Sequence, residues 1–484
     1  MRARAHRLKK RHDRSAASRG FSSMMRGMSV IPRAPAQPPC FSPQDPRYFD
    51  GADLLTELKR TFQICHECRM CVNYCGSFPA LFDRVDQAIG SGQAEGAETL
   101  TMADAQAIAD ECWQCKLCYI KCPYTPDEEA IEALDLPRLF ARERAVRAKA
   151  QGIPLVDRLL GEPQHIGRVA SGSLAPIANF VNEHRLLRKI QEKTAGIAAE
   201  FPLPKMAEET FLSWFRRHEP LAQAGQRGEV VLFPTCYGEY NVPHVPRAAT
   251  LVLEHNGYRV HYPQGTSDGP AELMGAIPTC CGLPNIDGGD IDSACRKIAH
   301  NVALLLPHVR AGRKVLVAGP SCGMMIKKEW AEYVPLPEVK EVAAATLDLM
   351  EFLVVLGREK KLVRSFPRSL GRIAYHAACH LRAQKIGFPG MRVLSVVPNT
   401  EVRMVEECSA VDGTWGMKAR HYATGQKYAQ KLVQGVQSSP PDLVLSDCSL
   451  ASLRVTHETG RRVLHPIEAV AHAYGIVDAF ASDH

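Results

Sequence analysis

Eight cysteines in two tight groups carry the clearest chemistry in this sequence. Cys65, Cys68, Cys71 and Cys75 are spaced C-x2-C-x2-C-x3-C. Cys112, Cys115, Cys118 and Cys122 repeat that spacing, with Pro123 after the last. A [4Fe–4S] cubane needs one thiolate on each of four irons. A loop with two-residue spacers wraps three corners, because each spacer lets the next sulfur turn back to the same centre. The fourth cysteine lies too far along and, in two-cluster ferredoxins, ligates the other cluster. The spacing therefore predicts one cluster on Cys65, Cys68, Cys71 and Cys122, and a second on Cys112, Cys115, Cys118 and Cys75. Structural zinc uses four ligands, usually as two separated C-x2-C pairs, and has no use for two identical quartets. One departure is Gly76, where a proline would help shape the turn after Cys75.

A second set of cysteines follows a different rule. Four short apolar runs each end on one: Gly228 to Cys236, Lys314 to Cys322, Gly371 to Cys379 and Asp442 to Cys448. Between them stand Cys280-Cys281-Gly282 in the first half and Cys408-Ser409 in the second. The interval from Cys281 to Cys322 nearly equals that from Cys408 to Cys448, so the segment is an internal duplication. Strands alternating with helical stretches imply parallel α/β packing, in which ligands gather outside the carboxyl ends of the strands. Adjacent thiols place two sulfurs on one centre while the glycine turns the backbone sharply. Cys236, Cys280, Cys281 and Cys322 suffice for a further iron–sulfur cluster or a tetrahedral zinc. Cys379, Cys408 and Cys448 leave one position for His380, water or a substrate atom, a weaker site. The halves are thus expected to be unequal, with the extra centre in the first; buried structural thiols are the bland alternative. His376 and His380 flank Cys379 and are expected to hydrogen-bond near a site more than to ligate. Cys295 and Trp415 read as packing, and Cys40 as incidental.

The elements that must position these groups divide the chain. Residues 1–45 are basic, then Pro-rich, and read as a flexible lead. Residues 46–127 read as a two-cluster ferredoxin-like domain, with a helix over Thr101–Ala109 running into the second quartet. Residues 128–228 read as a helical connector. A helix from Glu128 to Ala150 is expected, interrupted at Pro137. Its Arg138, Arg142, Arg144, Arg147 and Lys149 read as a solvated face, or otherwise as a membrane or partner surface. Residues 229–370 and 371–484 read as the two α/β repeats. The fold class is α plus α/β.

Composition narrows the function. The chain has 484 residues, seventeen cysteines and a formal charge of +7. Residues 1–38 hold ten Lys/Arg against the single acid Asp13, so the remainder is near −2 and nucleic-acid binding has no support there. The basic stretch reads as translated sequence upstream of a true start at Met24, Met25 or Met28. A disordered arm and a mitochondrial transit peptide are the other readings. Grouped, odd-numbered cysteines point to metal ligation in a reducing compartment, not to a disulfide framework. No apolar run is long enough to span a membrane. There is no G-x-G-x-x-G strand–helix unit, G-x-S-x-G elbow or P-loop.

The quartet pair followed by duplicated Cys-Cys-Gly segments resembles the heterodisulfide reductase-related iron–sulfur proteins. In layout the chain is similar to the iron–sulfur subunit, designated C, of anaerobic glycerol-3-phosphate dehydrogenase and to the iron–sulfur subunit of glycolate oxidase. Ala377-Ala378-Cys379-His380-Leu381-Arg382, Asp412-Gly413-Thr414-Trp415-Gly416 and His465-Pro466-Ile467-Glu468 carry the likeness to the former, which spans roughly residues 55–475. The helical interval between the quartets is similar to the α-helical ferredoxin domains of respiratory enzymes. The resemblance implies an electron-transfer subunit. Electrons would come from a flavoprotein dehydrogenase of glycerol-3-phosphate, glycolate or lactate type and pass to quinone or another carrier. The protein would be cytoplasmic, or peripheral on the cytoplasmic face of the inner membrane. Met325, Ser409 and Ala451 stand where the family's fuller motif has cysteines, so its five-cysteine noncubane cluster is not expected in either half. Thiol–disulfide reduction is therefore the second reading, and an iron–sulfur sensor or structural protein the third.

Overall fold

A computed structural model describes residues 31–265, 271–411 and 413–477. The readings made of residues 1–30, and of Asp412, lie outside these. The first quartet hangs from helix α1 (Gly51–Cys68), which starts where the Asp50 carboxylate accepts from the N–H groups of Ala52 and Asp53 at 2.8 and 3.2 Å. It stops at Arg69, whose φ of 49° is left-handed, so Cys65 and Cys68 occupy its last turn. Helices α2 (Ser77–Gly90) and α3 (Met102–Asp110) follow. A capping box between Thr101 and Asp104 opens α3 and aims its far end at Cys112. The short α4 (Leu117–Lys121) joins Cys118 to Cys122.

Helix α5 (Leu136–Gln151) departs from expectation in two ways. It begins at the proline that was to interrupt it: Pro137 sits in the first turn, where its missing N–H costs nothing, and Asp135 caps the Arg138 N–H at 3.1 Å. Its basic residues do not form one solvated or docking face: Arg142 and Arg144 are buried, Arg138 and Arg147 half-buried, and only Lys149 is exposed. Arg142 is 0% exposed and donates to the Tyr48 carbonyl at 2.7 Å and to Asp53 at 2.8 Å. Arg144 holds the carbonyls of Ala109 and Cys112, Arg147 pairs with Asp110, and Lys149 lies over the Phe49 ring. Leu139 and Phe140 join the core of Leu54, Leu58, Phe62 and Ile108, so that core extends past residue 127. The Pro-rich lead is also packed where described. Cys40 is buried beside Tyr48, and Arg33 bridges Glu67 and Glu132.

After α5 the connector holds, among other short elements, helices α6 (Leu155–Leu160), α7 (Pro163–Ala170), α8 (Ala175–Glu183) and α9 (Arg185–Ala195). It is strapped to the first half by Ala207 N–H on the Tyr240 carbonyl and to the second by Ala198 N–H on the Met417 carbonyl, both 2.8 Å.

The duplication is explicit in the sheets. β1 (Gly228–Phe233), β2 (Tyr258–His261), β3 (Lys314–Val317) and β4 (Thr346–Asp348) form one sheet in the order β2-β1-β3-β4. β5 (Gly371–His376), β6 (Thr400–Val405), β7 (Leu443–Ser446) and β8 (Val463–Leu464) form a second in the equivalent order β6-β5-β7-β8. Every pairing is parallel. Val230 and Leu232 of the first sheet and Ile373 and Tyr375 of the second enter one shared core, so the halves pack as a unit.

Two buried carboxyls lie where the halves meet. Asp447 Oδ2 accepts from the Tyr375 hydroxyl at 2.5 Å, while Oδ1 has no partner among the described residues. Burial, with the charge of Asp348 behind it, pushes the Asp447 carboxyl up to about 8. A folded pKa above the unfolded value near 4 means that the fold binds this proton more tightly than the open chain. The stability it contributes is complete below about pH 4 and is lost as pH rises through about 8. Urea denaturation at several pH values should show that decline, and Asp447→Asn should flatten it and stabilise the protein on the alkaline side.

Candidate functional site

The thiols of the two quartets lie close enough to act on one another's charge. The Cys65 thiol is pushed well up by burial and then by the charges of Cys122, Cys71 and Cys68. Burial, with Cys122 and Cys68 behind it, raises Cys71 to about 12. Cys75 is raised by burial and then by Cys112, not by its own quartet, and receives N–H groups from Ser77 and Phe78. Cys118 is raised by burial, then by Cys112 and Cys75, and more weakly by Cys71 and Cys65. Cys122 thus acts on the thiols of the first quartet and Cys112 on Cys75, the neighbourhood that a crossed ligand assignment needs. The loop of the second quartet is sharply wound, with Gln114 and Lys116 at φ of 51° and 60°. The Gln114 N–H points at Cys112 Sγ at 3.4 Å.

Around the first Cys-Cys-Gly segment four thiols form a hydrogen-bonded chain. Cys280 lies between Cys236 and Cys281, whose hydrogen bonds hold its thiol low, and Cys281 reaches on to Cys322. The strands deliver them. β1 turns through Thr235 into helix α10 (Thr235–Tyr240), which carries Cys236, and β3 turns into α11 (Pro320–Met324), which carries Cys322. Thr235 sits at φ 65°, a left-handed conformation that costs a β-branched residue about 1–3 kcal/mol. Gly282 takes φ 94° behind the paired cysteines, as its type predicted, and a Cβ there would meet Ala294 at 3.4 Å. The pair is pinned through its carbonyls: Asn301 donates to Cys280 O at 3.0 Å and Trp330 to Cys281 O at 2.9 Å. Lys297, held at 2.8 Å by Glu162, Asn285 and the Gly161 carbonyl, brings one positive charge toward Cys236 and Cys280.

The second half's cysteines are distributed. Cys408 hydrogen-bonds Cys115, and that bond, with burial, pushes the Cys115 thiol well up and holds the Cys408 thiol down. Cys379, at the start of α12 (Cys379–Ala383), adds its charge to the same place. Cys448, at the entry of α13 (Ser449–Thr459), lines a cavity with Cys236, Cys280, Cys281 and Cys322. His376 lies 2.8 Å from Ser446 Oγ and 3.1 Å from the Glu407 carbonyl. His380 lies 2.8 Å from Ser321 Oγ and 3.0 Å from the Gln114 carbonyl. Burial lowers both imidazoles to about 4, so they are neutral at pH 7. Cys295 donates to the Tyr333 carbonyl at 3.5 Å and packs with the first half.

Sequence reading missed the bridge made by His380, which ties the residue before Cys322 to the residue before Cys115. It also missed the Lys116–Glu329 ion pair, which binds the same loop to the helix after Cys322. Neither residue carries a spacing signal. Trp415 packs, as expected, but across a boundary: Nε1 donates to the Asp110 carbonyl at 2.8 Å and the ring lies against Trp113 at 5.0 Å and His421 at 4.3 Å.

Buried thiols that raise one another's pKa fit a polynuclear metal group, since metal binding supplies the positive charge that lets them ionise together. Among the described residues, no three His, Cys, Asp or Glu side chains surround a point fit for a single metal ion. Two neighbouring thiol quartets beside a duplicated cysteine-rich α/β unit define an iron–sulfur protein of the electron-transfer class. Residues 64–127 match the 4Fe-4S dicluster domain, and residues 230–327 and 373–453 each match the cysteine-rich domain. The chain is 26% identical over 308 residues to the anaerobic glycerol-3-phosphate dehydrogenase subunit designated C of Escherichia coli (strain K12), covering 63% of this chain and 73% of that one. It is 25% identical over 264 residues to lactate utilization protein A of Geobacillus thermodenitrificans, covering 50% and 99%. A shorter match, 30% over 88 residues, joins it to citrate utilization protein B of Escherichia coli, covering 18% and 19%. The chain carries an iron–sulfur dicluster domain and a duplicated cysteine-rich domain, and is homologous to the glycerol-3-phosphate dehydrogenase and lactate utilization proteins.

Trp415 is the rivet between the ferredoxin-type core and the second cysteine-rich half. Trp415→Ala should destabilise the protein by about 3–5 kcal/mol, the usual cost of deleting a buried indole. Trp415→Phe, which keeps a ring and loses the bond to Asp110, should cost only about 1 kcal/mol. Denaturant titration under anaerobic conditions measures both.

Proposed function

We propose that the chain relays electrons from a flavoprotein dehydrogenase subunit, of glycerol-3-phosphate, glycolate or lactate type, to a quinone or another carrier. Two [4Fe–4S] clusters, each passing one electron when bound, would be held by Cys65, Cys68, Cys71 and Cys122 and by Cys112, Cys115, Cys118 and Cys75. A further iron–sulfur centre would sit on Cys236, Cys280, Cys281 and Cys322; the single zinc that the sequence also allowed is not favoured, since no three His, Cys, Asp or Glu side chains surround one point among the described residues. Cys379, Cys408 and Cys448 would make weaker contacts. The observation that carries this reading is the contact of Cys115 with Cys408. It gives the second cluster's site a direct thiol neighbour in the duplicated domain. Lys116, His380 and Trp415 keep that junction closed. The domain limits are proposed as 46–127, 128–228, 229–370 and 371–484, with α5 completing the first core.

The crossed ligand sets give the test. Anaerobic full-length protein should hold about eight irons in its two cubanes, and more if the first half holds a third cluster. Reduced protein should show an EPR signal from interacting clusters. Cys122→Ser should disturb the cluster of the first quartet while that of the second persists. Cys281→Ser should remove only the further centre. Zinc without acid-labile sulfide would refute the assignment.

We also propose peripheral attachment to a membrane. Among the described residues no helix is long and apolar enough to cross one. The connector offers a different mode. Nine large apolar side chains between Leu155 and Ile190 are exposed. They recur three or four apart within each helix: Leu155 and Leu159, Ile166 and Val169, Ile177 and Phe180, Leu186 and Ile190. Arg158, Arg168, Arg185, Lys189 and Lys193 are exposed among them, the pattern of helices lying in an anionic interface. Burying a large apolar side chain is worth about 1.5–3 kcal/mol. Ile177→Asp with Phe180→Asp should therefore weaken co-sedimentation with anionic vesicles at least about tenfold, leaving iron content unchanged.

A further inference from the structure

A relay that ends on a lipid-soluble acceptor needs a place for that acceptor to sit. A cavity of about 440 Å³ lies between the connector and the two cysteine-rich halves, within the size range of small-molecule sites. The thiols of Cys236, Cys280, Cys281, Cys322 and Cys448 occupy one part of its lining. The connector supplies an apolar wall with Leu160, Leu203 and Met206, and Asn182 and Tyr237 add polar groups. Two residues belong to the cavity and to the outside at once: Leu159 and Ile166 line it, yet are 39% and 40% exposed within the apolar rows of α6 and α7.

We propose that this cavity is the binding site of an isoprenoid quinone. Its ring would lie between the apolar wall and the thiols, and its tail would leave past Leu159 and Ile166. The proposal rests on the relay reading. The occupant must be apolar, because the connector wall offers no cation or carboxylate among the residues named. It must also be able to take electrons, because the lining includes the cysteines proposed to hold a further iron–sulfur centre. A mouth that opens within an exposed apolar row suits a ligand arriving from lipid. Once bound, the quinone would take up two electrons, supplied one at a time by the iron–sulfur groups that the chain's cysteines would hold, and two protons from water, and leave as quinol.

The experiment uses anaerobic full-length protein in detergent and a photoreactive azido-quinone with a short isoprenoid tail, followed by peptide mapping. Label is expected on peptides containing Leu159 to Ile166, Leu203 to Met206 or Leu450. An unreactive quinone should compete, and palmitate should not. Leu160→Glu and Leu203→Glu, at positions that ligate nothing, should each cut labelling at least tenfold with iron and sulfide content unchanged, and Leu203→Met should restore it. Label confined to other peptides, label insensitive to both glutamates, or equal displacement by palmitate overturns the proposal. Dithionite-reduced EPR on the same samples separates the two readings. Normal clusters with no site-specific label sink the quinone site and leave the relay standing. Absent clusters sink the relay itself.

Discussion

Crowded thiols repel one another as soon as more than one loses its proton, and much of this structure is arranged around that repulsion. Burial alone raises a thiol; a second thiolate nearby raises it further, as the Cys65 and Cys118 environments show. A chain that brings four such groups together needs either a cation among them or a backbone stiff enough to hold them in its absence. The protein supplies the stiffness. Asp50 and the Thr101–Asp104 box fix where the helices begin, left-handed residues fix where the loops turn, and Arg144 clamps the carbonyls that lead into the second quartet.

The same demand explains the unusual burial of charge. Arg142 and Arg144 belong to no catalytic set, yet they lie inside because backbone carbonyls at the loops need donors that water cannot supply there. Lys297 acts similarly near the Cys-Cys-Gly turn while adding a positive charge beside two thiols. Removing any one such donor would strand its acceptors, which costs more than the net worth of the bond.

Much of this was legible in the sequence, and for identifiable reasons. Ligand spacing is local: two C-x2-C-x2-C-x3-C groups announce an iron–sulfur dicluster domain, and residues 64–127 match one. The repeat was legible because strand and cysteine recur in fixed order, and Gly282 because only one kind of residue suits that turn. The basic face of α5 misled because periodicity shows which residues share a side but not what covers that side. Pro137 misled because a proline stops a helix or starts one according to its neighbours, and Asp135 decided the case. The apolar rows of the connector were legible in principle, at helical spacing, but were passed over because each helix is only two or three turns long. The partners of His380 lie 59 and 266 residues away, and no local pattern reports a contact of that kind.

That imidazole has a consequence for how the protein can change over evolutionary time. A duplicated domain ordinarily gives one copy licence to drift, and the second half has drifted, with Ser409 and Ala451 where thiols would stand. Yet its His380 has both ring nitrogens committed, one to the first half and one to the ferredoxin loop. The copy that lost ligands is therefore not vestigial. His380 and Ser321 are locked side chain to side chain, so a change at either is felt by the other, while the bond to the Gln114 carbonyl asks only that the ferredoxin loop keep its path. The halves are no longer free to be shuffled, swapped or shed as modules.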